Sequence, residues 1–160
     1  MRNTLHRTSR RRRRGLAAVE FAVVLPVILV LLLGLWEVGR MVEVEAILYN
    51  AVAVGGRTAS IGLNSATQVQ TTITNYLSLA GVPTQHATVT ISDLTNPGTD
   101  PTLATALDQI QLSVSIPFSD VRWSATSMFL PGTTQLSATV KWYSANPYSY
   151  PTNITVPSGS

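Results

Sequence analysis

The sequence predicts an α+β protein in which one long N-terminal helix, half suited to a membrane and half amphipathic, packs on a small antiparallel sheet. Three observations carry this. Residues 16–36 form an apolar run whose only ionisable member is Glu20. Beyond Trp36 the apolar residues narrow to a stripe, with Met41, Val44, Leu48, Val52 and Gly55 near one helix face and Glu43, Asn50 and Arg57 off it. From Ala87 onward the apolar period changes from that of a helix to two.

A chain of 160 residues suits one folded domain plus an anchor. The organisation expected is a basic cytoplasmic leader over residues 1–15 and a transmembrane helix over 16–36. An amphipathic extension over 37–60 follows, then an extracytoplasmic α+β head over 61–160 with a flexible C-terminal tail. The net charge of +3 describes the leader alone, because seven of the eleven basic residues are Arg2, Arg7, Arg10, Arg11, Arg12, Arg13 and Arg14. From Gly15 onward four basic residues stand against all eight acids, a net of −4. Cysteine is absent, which excludes disulfides, thiolate catalysis and cysteine-based zinc sites.

As a helix, the 21 residues of 16–36 span about 30 Å, the thickness of a bilayer core. A buried helix of a soluble protein is the alternative, but LPVILVLLLGLW is apolar on every face, which favours lipid. A secretory signal is a further alternative; its nearest small-x-small site, Ala51-Val52-Ala53, lies too far beyond Trp36. The arginines of the leader hold the N-terminus in the cytoplasm and place the head outside, with Trp36 at the outer interface. Read instead as a nucleic-acid-binding arm, Arg10 to Arg14 lack interleaved aromatic residues and abut a span, so no nucleic-acid partner is expected. Pro26 interrupts the hydrogen bonding of the span and loosens it near Ala22.

Glu20 is the anomaly. A carboxylate in the bilayer is costly unless it is compensated. It could snorkel to the cytoplasmic surface, or it could pair with a cation from another copy of the helix. A chain cut after Gly15 would supply that cation as the new amino group of Leu16.

The order of basic leader, Gly15, four small or apolar residues, Glu20, Phe21 and an apolar span with a proline resembles a class III signal of the type IV pilin kind. It is most similar to the TadE-like pseudopilins of tight-adherence (Tad/Flp) pili. GLAAVEFAVVLPVILVLLLGLWEVGR resembles the opening of that family, and NAVAVGGRTAS a second recurring segment. The resemblance implies a pilin-like fold and cleavage by prepilin peptidase between Gly15 and Leu16. It makes Gly15, Leu16, Glu20 and Phe21 the peptidase's recognition set, and Leu16 with Glu20 the marks of subunit register. Major pilins of the group usually carry tyrosine after the glutamate, so Phe21 implies a minor pseudopilin. The partners implied are prepilin peptidase, other pilins or pseudopilins, the assembly platform in the cytoplasmic membrane, and the lipid bilayer. After processing, a place in a surface pilus is implied as well.

Beyond the first helix, Ser65-Ala-Thr-Gln68 has the spacing of a capping box. Val69, Ile73, Tyr76, Leu77 and Ala80 follow at helical spacing until Gly81 and Pro83 stop the helix. Gly55-Gly56 is expected to end or loosen the first helix, and Glu37 to pair with Arg40 on its exposed side. ATVTIS at 87–92, IQLSVSIPF at 110–118 and LSATVKW at 136–142 alternate as strands with one apolar face. The amphipathic part of the first helix is the natural cover for that face. Pro117 marks a strand end or an edge. DLTNPGTDP, from Asp93, reads as a turn in preference to a calcium loop, since EF-hand spacing is absent.

His6 and His86 are the only histidines, and no P-loop, nucleotide fingerprint or H-E-x-x-H occurs. The expectation is a structural protein that is not an enzyme and has no cofactor, catalytic residue or metal site. The alternative function is an uncleaved single-span membrane protein whose head binds an envelope or pilus-machinery partner.

Overall fold

A computed structural model describes residues 7–62, 64–122 and 133–146. Arg2, His6 and the C-terminal tail from residue 147 lie outside them. The elements in chain order are helix α1 (Arg7–Ser60), helix α2 (Ala66–Leu79), strand β1 (Thr88–Asp93), a 3-10 turn η1 (Pro101–Leu103), strand β2 (Gln109–Pro117), the short helix α3 (Phe118–Val121) and strand β3 (Gln135–Tyr143). The chain divides into two compact units, Met1–Gly39 and Arg40–Ser160.

In the first unit α1 runs unbroken through Pro26. Every side chain from Leu16 to Trp36 is exposed, Gly34 alone being half-buried. A helix this apolar with no buried face has no place in water, and it is long and apolar enough to cross a membrane.

The second unit is an α+β head. Its sheet has the order β1-β2-β3 with both pairings antiparallel, so the longest strands, β2 and β3, pair over nine positions from Gln109↔Tyr143 to Pro117↔Gln135. Alternation sends Ile110, Leu112, Val114 and Ile116 of β2 to one face, where all four are buried together with Leu136 and Ala138 of β3. The cover comes from α1, whose Val44, Leu48, Ala51 and Val52 are buried, and from α2, whose Val69, Ile73 and Leu77 join them in one core. The opposite sheet face carries Thr88, Thr90, Ser113, Ser115, Ser137, Thr139 and Lys141. Pro117, lacking an N–H, ends the central strand as expected and leads directly into α3.

Helix α2 is bounded by the signals its sequence carries. Gln68 N–H donates to Ser65 Oγ at 3.3 Å, and Ser65 N–H donates to Gln68 Oε1 at 2.7 Å. At the other end Gly81 adopts φ 74° and donates to Ser78 O, while Val82 N–H donates to Leu77 O, the paired bonds of a Schellman close.

Two local expectations are corrected. Helix α1 does not end at Gly55-Gly56 but continues to Ser60. The glycines serve close approach: a Cβ on Gly55 would lie 2.5 Å from Ile73 Cγ1, and one on Gly56 would overlap the indole of Trp142. Tertiary contact thus overrides the weak helix propensity of glycine. Arg40 pairs with Glu43 at 2.9 Å, not with Glu37. Glu37 is only 8 % exposed, whereas Glu43 turns toward solvent and is free to meet the guanidinium.

Candidate functional site

The candidate signal residues lie in sequence order along α1. Arg10, Arg11, Arg12, Arg13 and Arg14 are on its helical backbone, and Gly15, Leu16, Glu20 and Phe21 follow, all exposed. Leu16 and Glu20 are separated by four residues and therefore share one helix face; Phe21 is displaced by about 100° from Glu20. A Cβ added to Gly15 would meet no atom within 4 Å. Nothing packed inside this chain requires glycine there. Glycine in a helix interior is less stable than alanine by about 1 kcal/mol, so the backbone at 15 is a weak point in an otherwise apolar and rigid run.

The head offers polar clusters that hold the fold. Asp93, buried at the end of β1, accepts from the N–H groups of Thr95 and Asn96 at 2.8 and 2.9 Å through Oδ1. Asp108, also buried, accepts from the N–H and the hydroxyl of Thr105, both at 2.7 Å, and from Asn96 Nδ2 at 3.3 Å. These carboxylates fold the 93–108 connection by satisfying backbone donors, the ordinary work of an Asx turn. Among the described residues no group of three or more His, Cys, Asp or Glu side chains is placed to hold a metal ion.

At the opposite end of β2, His86 Nδ1 meets Asp120 Oδ2 at 2.7 Å, and Ser119 donates to Asp120 Oδ1 at 3.2 Å. A hydrolytic triad needs the histidine between serine and aspartate, and here the carboxylate is in the middle. The cluster ties the chain before β1 to α3. Arg40 completes this corner, since its Nε donates to Val121 O at 3.1 Å while its Nη1 holds Glu43. Sequence reading did not find either link: His86 and Asp120 are 34 positions apart, Arg40 and Val121 are 81 apart, and neither spacing carries a local signal.

No curated protein and no solved structure matches the chain. A family model does, over residues 15–57, from the glycine ahead of the apolar run to the arginine just after the glycine pair. Across this segment, which takes in Glu20, the exposed apolar helix and the stripe that covers the sheet, the chain is similar to the TadE-like protein family.

Proposed function

We propose that this chain is a structural minor pseudopilin, cut by prepilin peptidase after Gly15, that acts in the assembly or priming of a tight-adherence pilus. Its head lies outside the cytoplasmic membrane. The observation that carries the reading is the exposure of every face of α1 from Leu16 to Trp36 directly after a glycine that no internal packing demands. A protease must take its substrate in extended form, and glycine at position 15 lowers the cost of unwinding α1 there.

Cleavage would alter the surroundings of Glu20. In the uncut chain it sits well inside α1, which begins at Arg7. After removal of residues 1–15 it lies close to a helix start, where the free N–H groups and the Leu16 amine favour an anion. The same cut removes all seven leader arginines, the charges that fix the topology, so the helix can be drawn from the bilayer. Between neighbouring copies, the stagger that brings Glu20 to a Leu16 amine is the one that leaves no carboxylate unpaired in lipid.

The intact mass of chain extracted from membranes tests the cut. A mass lacking residues 1–15 is expected, and retention of the leader beside active peptidase would overturn the reading. Glu20→Ala should leave processing in place and impair assembly; unchanged assembly contradicts the register role. The continuity of α1 across residues 7–15 favours one second reading, a single-span protein that keeps its leader, and the same mass separates the two.

A further inference from the structure

We infer that the outer edge of β3 accepts an extended segment of a partner protein as a fourth strand of the sheet. The inference concerns the head alone and stands whether or not the leader is cut. In the order β1-β2-β3 the outer sides of β1 and β3 are the edges. The bonds that carry the β2–β3 ladder past its ends, Phe118 N–H to Thr134 O and Ser144 N–H to Asp108 O, fix its phase. Directly opposed residues of an antiparallel pair bond each other at every second position, so the even-numbered residues of β3 bond β2. The N–H and C=O groups of Gln135, Ser137, Thr139, Lys141 and Tyr143 point the other way. All five residues are exposed, and among the described residues nothing bonds to their main chain from that side.

An exposed edge is normally guarded by a short strand, a bulge, a proline or several charges. Strand β3 has none of these: it is 9 residues long, contains no proline, keeps one register with β2 throughout, and has Lys141 as its only charge. Strand β1 is better guarded. The same phase rule, from Leu94 N–H to Gln109 O, leaves it Val89, Ile91 and Asp93 as outward residues, none of them exposed. What matches a row of main-chain donors and acceptors repeating at about 6.8 Å is another extended main chain. Residues opposed across a ladder share a sheet face, so the partner's side chains are specified as well. Those opposite Ser137, Thr139 and Lys141 lie on the polar face, where a carboxylate suits Lys141. Those between them lie beside Val140 and Trp142, which are only half-buried, and apolar side chains there complete the cover. The partner is thus an extended segment of alternating polar and apolar residues.

Amide hydrogen exchange of the full chain in detergent, resolved by residue, tests this. Without a partner, the N–H groups of Ser137, Thr139 and Lys141 should exchange at least about tenfold faster than those of Leu136, Ala138 and Val140, which bond β2. Equal protection would mean that the edge is already filled, by this chain's own residues or by a second copy, and overturns the partner. The probe is a blocked synthetic peptide with the sequence of Gln109–Pro117, which has the required alternation. Its addition should slow exchange at Ser137, Thr139 and Lys141 by at least about tenfold. Methylating the backbone nitrogens of the peptide's Gln111, Ser113 and Ser115 should abolish the slowing, because the residues on the polar face are the ones that bond the edge. Methylation at its Leu112, Val114 and Ile116 should preserve it. No slowing by the peptide, or the same loss from both methylation patterns, overturns strand addition and leaves the cleavage and pilus proposals untouched.

Discussion

Replacing Gly56 by alanine sets helix propensity against packing, and the structure decides which wins. Alanine in a helix interior is favoured over glycine by about 1 kcal/mol. At position 56, however, the added Cβ would fall within the contact distance of Nε1 and Cδ1 of Trp142 and 2.8 Å from its Cε2. A methyl group cannot share that space, and an indole has no flexible end to swing aside, so the ring or the helix must shift. Overpacking of this kind costs about 1–3 kcal/mol, and the larger part of that range applies to a rigid ring. The net expectation is a loss of roughly 1–2 kcal/mol, a Tm lower by about 3–6 °C per kcal/mol in a domain of this size. The assay is thermal unfolding of the detergent-solubilised chain followed by far-UV circular dichroism. Gly39→Ala is the internal control, because its Cβ would meet nothing within 4 Å and only the propensity gain remains. The two substitutions should have opposite signs. In a Trp142→Val background the penalty of Gly56→Ala should largely vanish, a coupling read by the double-mutant cycle. If Gly56→Ala raised Tm as Gly39→Ala does, the account of the glycine pair as a packing site for Ile73 and Trp142 would be refuted.

Further outcomes follow from contacts already described. Ser65→Ala removes one half of the capping box of α2 and should cost about 1 kcal/mol in urea unfolding, with an unchanged m-value. Arg40→Met breaks the bond to Val121 O and should cost about 1.5 kcal/mol or more. Glu43→Gln touches only the exposed side of the pair and should cost less than about 0.5 kcal/mol; equal losses would contradict the importance of the Arg40–α3 link. Millimolar calcium or EDTA should leave Tm unchanged, because Asp93 and Asp108 are committed to backbone donors, whereas Asp93→Ala should lower it by an amount corresponding to about 1–3 kcal/mol.

What was legible in the sequence was whatever is written over a short distance or repeated often. The capping box spans three residues, the alternation of β2 repeats four times, and the stripe of α1 recurs over several turns, so each could be read without knowing its partner. The segment in which the family match begins was legible for the same reason, since Gly15 to Phe21 is contiguous. The errors came where one local pattern permits two outcomes. Gly55-Gly56 has the same letters whether it breaks a helix or admits a neighbour, and only Ile73 and Trp142, arriving from elsewhere, decide. Arg40 has a glutamate three residues away on either side, and the burial of Glu37 makes the choice. Helix α3 and η1, of four and three residues, are too short for any period to declare itself. The α3 corner depends on pairs far apart in the chain.

The core of the head also fixes what can move as one body. Val44, Leu48 and Val52 of α1 are fully buried against the sheet and α2. Burying three such side chains contributes about 5–9 kcal/mol, comparable with the whole stability of a small domain. A fragment of residues 61–160 would bare the apolar face of β2 and should not fold cooperatively, whereas residues 40–160 retain the cover and should. Chemical denaturation and amide hydrogen exchange of the two fragments check this, and cooperative unfolding of 61–160 alone would show that α1 is dispensable to the core. If the longer fragment alone folds, the part of α1 from Arg40 to Ser60 belongs to the core of the head.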